Sequence, residues 1–145
     1  MEHGYIVNVE GAIVKDGHYL LVVRGAGEAH AAGMLSLVGG KVENAGESSD
    51  ILEATLRREI LEEVGIEVGN MEYVQSSSFG SASEPVVDVV FLCVFAGGEP
   101  RIVSPEEVES IHWMSAQAVE RDPNVPIWTK RSVRAAEVKR LRLGW

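Results

Sequence analysis

Glu59, Glu62 and Glu63 stand at i, i+3 and i+4 in a stretch of helical periodicity, so at 100° per residue their carboxylates fall within an arc of roughly 100°. Local physics disfavours this. Like charges on adjacent turns repel by roughly 0.2–0.5 kcal/mol per pair, and Glu62 and Glu63 lie near the end of the stretch, where the helix dipole favours cations. Two compensations suit the spacing. One is a solvated acidic face with Arg57 and Arg58 nearby; the other is a hard divalent cation, which takes oxygen ligands and keeps waters that become nucleophiles. Spacing alone leaves both open.

The element that carries these acids is the best defined in the chain. Leu52, Leu56, Ile60 and Val64 recur every four residues and predict a helix over 50–64; Asp50 with Glu53 suits a capping box, and Gly65 a C-terminal stop. Ahead of it, residues 5–14 and 19–23 predict two antiparallel strands joined at Asp16-Gly17. Residues 25–33 are small and aperiodic, which predicts a loop, and 34–38 predict a short strand running into Gly39-Gly40, where the missing Cβ permits unusual backbone angles or close approach of a ligand. After the helix the pattern gives a strand over 66–75, a Ser- and Gly-rich loop over 76–85, a buried strand over 86–95 and a short strand over 109–114. Helices follow over 115–120 and 129–143. The class is mixed α/β, a sheet covered by helices, and 145 residues fit one domain.

Composition narrows the function. Apolar residues are 46% and charged residues 24%, which excludes intrinsic disorder. The longest apolar run, Val89 to Ala96, falls far short of the roughly 18 residues of a spanning helix, and Met1 to Tyr5 lack the basic and apolar regions of a secretory signal, so the expectation is a cytoplasmic protein with no membrane contact. The lone Cys93 permits no internal disulfide and reads as a core hydrophobe. A net charge of −9 argues against a general nucleic-acid surface. The exception is Thr129 to Trp145, with six basic residues against one acid; a helix docked on its own acidic body accounts for it, with RNA or a membrane as the alternatives. An acidic protein that handles phosphates needs a divalent cation between like charges.

The residues around the acids form a longer pattern: Gly40-Lys41-Val42-Glu43, Gly46-Glu47, then Arg58-Glu59-Ile60-Leu61-Glu62-Glu63-Val64-Gly65-Ile66. This resembles the signature of the Nudix (MutT-like) hydrolases, which reads Gly, five residues, Glu, seven residues, Arg-Glu-apolar-x-Glu-Glu-x-Gly-apolar. The second half matches at every specified position. The first half departs from it: six residues separate Gly40 from Glu47 and ten separate Glu47 from Arg58. The box covers residues 40–66, and the flanking strand order resembles the family over most of the rest.

The resemblance implies an α/β/α sandwich with a mixed, curved sheet of antiparallel and parallel strands. It implies magnesium or manganese bound by Glu59, Glu62 and Glu63 with the carbonyl of Gly39, and Arg58 orienting the acids by pairing with Glu47, or with Glu43 or Glu53 in its place. The extra residues are expected to lengthen the loop at Ser48-Ser49, since three more helical residues would rotate the start by about 300°. The implied reaction is hydrolysis of a nucleoside diphosphate linked to another group, as in nucleoside triphosphates, ADP-ribose or nucleotide sugars, with Arg58, Glu62 and Glu63 in the catalytic set. Glu107 is the first candidate for general base, followed by Glu106 and Glu109. Arg24, His30 and Lys41 are candidates for phosphate contact, and Phe79 or Trp128 for stacking on a base, against a bland reading of each as surface or core. The marker residues of subfamilies fall on neither Pro85 nor Tyr73, so no substrate class is assigned. Family members are often homodimers. The alternatives are a nucleotide- or partner-binding sensor, suggested by the shifted first half of the box, and a structural protein with an acidic helix.

Overall fold

The computed structural model describes residues 4–26, 32–43 and 46–145. Strands β1 (Ile6–Lys15) and β2 (His18–Arg24) form the expected hairpin. Its turn places Asp16 at φ 49° and Gly17 at φ 74°, the mirror-image geometry whose twist matches the flanking strands. Strands β3 (Leu35–Ser36) and β4 (Val38–Lys41) follow, then helix α1 (Ile51–Val64), the long hairpin of β5 (Glu67–Gly80) and β6 (Pro85–Gly97), strand β7 (Val108–Ser115), and helices α2 (Ala116–Arg121) and α3 (Ile127–Leu143).

Among the described residues the sheet has seven strands in the order β3-β2-β1-β6-β5, with β4 on β1 and β7 on β2. It is mixed: β1 runs parallel to β6, in register from Ile6 with Val86 to Val14 with Val94, and the other pairs are antiparallel. Period-2 alternation sends Val9, Ile13, Leu20 and Val22 to one face, where they meet Leu56, Ile60 and Val64 of α1. Ala12, Val14, Tyr19 and Leu21 face the other way, onto Val119 of α2 and Val133 and Ala136 of α3. The result is the α/β/α sandwich. Each fully buried Leu, Ile or Val of α1 contributes roughly 1.5–3 kcal/mol, so the helix is held by its stripe.

The ends of α1 differ from each other. Gly65 closes it as expected, with φ 70° and its N–H donating to the Leu61 carbonyl at 3.1 Å. The capping box does not form. Asp50 takes a left-handed backbone (φ 53°) and makes no side-chain cap bond; the extended backbone that aims an N-cap side chain at the first amides is absent there. Because α1 starts at Ile51, residues 46–50 stay outside it and the extra residues of the box lengthen the preceding loop.

A second correction concerns 76–85. Ser76 to Gly80 continue β5, paired with Val89 to Pro85 of β6. Their composition suggests a loop, but the apolar strand opposite supplies a ladder, and such context overrides propensity. The basic C-terminal segment is a docked helix. Tyr19, fully buried, donates its hydroxyl to Glu137 at 2.8 Å, Arg140 pairs with the same carboxylate at 2.7 Å, and Arg134 reaches Glu120. No helix among the described residues is long and apolar enough to cross a membrane.

Candidate active site

Helix α1 separates the three glutamates that its sequence groups. Glu63 is 5% exposed and Glu59 is largely covered, whereas the side chain of Glu62 is 56% exposed and faces Arg58 at 3.2 Å. Glu59 and Glu63 are one turn apart and their carboxyls meet. Burial, then the neighbouring Glu59, pushes Glu63 up to about 9, so at neutral pH it is protonated and donates to the Glu59 carboxylate. Burial also raises Glu59, although the bond from Glu63 and the charge of Arg58 work against it.

Strand β4 lets this pair sit close. A Cβ at Gly40 would fall 2.7 Å from Glu59 Oε1, so the absent side chain is the space that the carboxyl occupies. Gly39 is bare for a different reason, because a Cβ there would strike the carbonyl of Val9 on β1. Neither glycine has a positive φ, so both are needed for clearance.

Arg58 Nη1 lies 3.4 Å from Glu59 and 3.2 Å from Glu62, and Glu43 adds a weaker attraction. Glu47, the expected partner, is not among these contacts. Arg24, at the end of β2, lowers the proton affinity of Glu63 and also of Glu10. Glu10 belongs to a polar group that carried no sequence signal. Asn8 donates to Asp88 at 2.6 Å, and burial and the bond to Asp88 hold Glu10 well above the usual carboxylate range.

Of the three candidates around the start of β7, Glu107 is the one whose charge acts on both Glu59 and Glu63. A bulge puts it there. Val23 pairs with Ser110 and Arg24 with Val108, so Glu109 is the extra residue. Ile111 and Trp113 face the α1 side of the sheet, and strict alternation would bring Glu109 to that face; the bulge instead turns in Val108, 1% exposed, and leaves Glu109 in solvent. The loop ahead of Val108 is tied down by main chain. Arg101 N donates to Val64 O at 3.0 Å and Val103 N to Glu63 O at 3.1 Å, which also satisfies carbonyls at the end of α1. At the other end, Gly25 N donates to Glu107 O at 2.8 Å. Arg101 and Val103 act through backbone groups, so their side-chain types gave no signal.

Lys41 is exposed at the end of β4, and His30 lies outside the described residues. Phe79 and Trp128 are about half exposed, on the tip of β5 and the start of α3. A cavity of about 570 Å³ among the described residues, lined by Val23, Leu35, His112 and Asn124 among others, contains none of these acids.

The donor chemistry fits a divalent cation. Glu63 Oε2 is buried without a hydrogen-bond partner beside a second carboxyl, which is costly unless a cation or donor meets it. Among the described residues no three acid, imidazole or thiol groups converge as a ready cage. Magnesium commonly takes one or two carboxylates and completes its shell with waters and substrate phosphates, so a two-carboxylate site suffices.

A family model described as NUDIX domain matches residues 6–135. No curated protein matches the chain. Among solved structures, a MutT NUDIX hydrolase from Burkholderia pseudomallei is 31% identical with a TM-score of 0.75, over 92% of this chain and 98% of that one. A MutT protein from Methanosarcina mazei Go1 is 22% identical with a TM-score of 0.76, over 96% and 97%. The NUDIX domain of Shewanella oneidensis NrtR, solved with ADP ribose, is 19% identical with a TM-score of 0.73, over 98% and 90%.

Proposed function

Since this chain belongs to the Nudix hydrolase family, we propose that residues 1–145 form one Nudix domain that uses magnesium or manganese to hydrolyse the diphosphate linkage of a nucleotide derivative. The observation that carries this reading is the buried, unpartnered Glu63 oxygen beside Glu59. Glu59 and Glu63 would hold the cation, with Glu62 joining once it leaves Arg58, and with the Gly39 carbonyl. When bound, the ion neutralises phosphate oxygens and lowers the pKa of the attacking water. To hold the ion, Glu63 would have to give up the proton it carries at neutral pH.

The remaining work falls to the chain's own groups. Arg24 and Lys41 bind phosphate oxygens of the diphosphate, and His30 is carried as a third phosphate contact on its residue type alone. Arg58, between Glu59 and Glu62, fixes the direction of the Glu59 carboxylate. Glu107 accepts the proton of the water as it forms its bond to phosphorus, and the bond from phosphorus to the bridging oxygen breaks, leaving two phosphate products. The ADP ribose held by the NrtR domain makes a nucleotide sugar a fitting first compound to try.

The test is chromatographic product analysis with magnesium and with manganese, over nucleoside triphosphates, oxidised dNTPs, ADP-ribose, nucleotide sugars, NADH and dinucleoside polyphosphates. One compound cleaved by the wild type and not by Glu63→Gln supports the reading. Tight nucleotide binding without products over hours would overturn it and assign a binding role.

A further inference from the structure

We propose that Gly25 is a positioning residue that sets the place of Glu107, through the clearance left by its missing side chain and its backbone bond to the Glu107 carbonyl; this rests on the reading of Glu107 as the proton acceptor. The bond from Gly25 N to Glu107 O is 2.8 Å. A Cβ at Gly25 would strike the carbonyl oxygen of Glu106 and lie 2.9 Å from its carbon. Those obstacles are backbone atoms, so no side chain can swing aside. The φ of Gly25 lies outside the left-handed region, which leaves clearance as the reason for glycine at this position.

The loop cannot retreat easily at its other end. Arg101 and Val103 bind it to the last carbonyls of α1, including that of Glu63 itself, and the Ser104 carbonyl accepts from both Glu107 N at 3.0 Å and Val108 N at 2.9 Å. Val108 then plugs into the core. An alanine at 25 therefore displaces the 106–107 peptide, which lies between Val103, bonded to α1, and Val108, buried in the core. That moves Glu107 relative to Glu59 and Glu63 and leaves the acid pair in place.

The experiment is a double-mutant cycle on the panel compound cleaved fastest, with Gly25→Ala, Glu107→Gln and the double variant. Glu107→Gln is expected to lower kcat about 100-fold. Gly25→Ala is expected to lower kcat about tenfold with KM within about twofold, and to cost under about twofold in the Glu107→Gln background, because its effect passes through Glu107. Multiplicative losses overturn the proposal, as does full activity in Gly25→Ala. Hydrogen exchange of the wild-type Gly25 amide gives an answer independent of folding of the variant: protection comparable to interior β2 amides supports the bond, and exchange at the rate of an open chain overturns it. A Glu107→Gln slowed about 100-fold beside multiplicative losses defeats only the role of Gly25; a fully active Glu107→Gln defeats the reading of Glu107 beneath it.

Discussion

Protonated Glu63 donates a hydrogen bond to Glu59 one turn earlier on α1, and the two form an acid pair in which the buried Glu63 Oε2 has no partner. The folded state raises Glu63 to about 9, far above an ordinary unfolded carboxyl near 4.3, so between these values the folded chain binds the extra proton. Stability without metal is therefore fullest below about pH 4 on this account and is lost as pH rises through 9. Chemical denaturation in a chelator at pH 6, 8 and 10 should show the fall for wild type. Glu63→Gln, neutral at every pH, should show a smaller one.

Adding the cation should reverse that trend. Millimolar magnesium or manganese should raise the melting temperature of wild type above its value in a chelator, and more so at pH 8 than at pH 6, because binding must displace the Glu63 proton. Calorimetry in two buffers of different ionisation heat would count the proton released. Glu63→Gln should lose most of the shift.

Arg58→Ala should separate orientation from stability. The guanidinium is 44% exposed, and exposed pairs contribute about 0–1 kcal/mol, so the melting curve should hardly move. Turnover should fall about tenfold as Glu59 loses its guide, with Arg58→Lys intermediate because an ammonium lacks the planar fork. Unchanged turnover in Arg58→Ala would remove Arg58 from the catalytic set.

Tyr19→Phe tests the docking of α3. The buried hydroxyl donates to Glu137, and its loss should destabilise by about 1–2 kcal/mol in urea. Glu137 is held below its ordinary value chiefly by Arg140, so its contribution is present above the unfolded carboxyl pKa and disappears as pH falls through the folded one. The effect of Glu137→Gln should accordingly shrink as pH is lowered toward 3.

Cys93 should be inert in the native state. It is fully buried and burial raises its thiol to about 12, so a thiol-specific reagent at pH 8 should label it only at the rate of unfolding.

Much of this was legible in the residues. The stripe from Leu52 to Val64 marked α1, and Arg58 to Ile66 marked the family, because a rigid helix converts sequence spacing directly into geometry. What spacing did not carry was depth: Glu62 and Glu63 are neighbours in sequence, yet one is solvated and the other buried under the sheet. The same holds for Glu10 and Asp88, whose meeting depends on the parallel pairing of β1 with β6, eighty residues apart. Asp50 looked like a cap because its side chain has the chemistry of one, but the cap depends on a backbone angle that the lengthened loop does not supply.

The bulge at Glu109 joins the geometry of the site to the packing of the core. Without the bulge, the residue directly before Ser110 would face the core; with Glu109 as the extra residue, Val108 takes that apolar seat and the carboxylate of Glu109 stays in solvent. The burial of Val108 thereby anchors the chain one residue after Glu107, so the packing of the interior and the placing of that acid share a single fixed point.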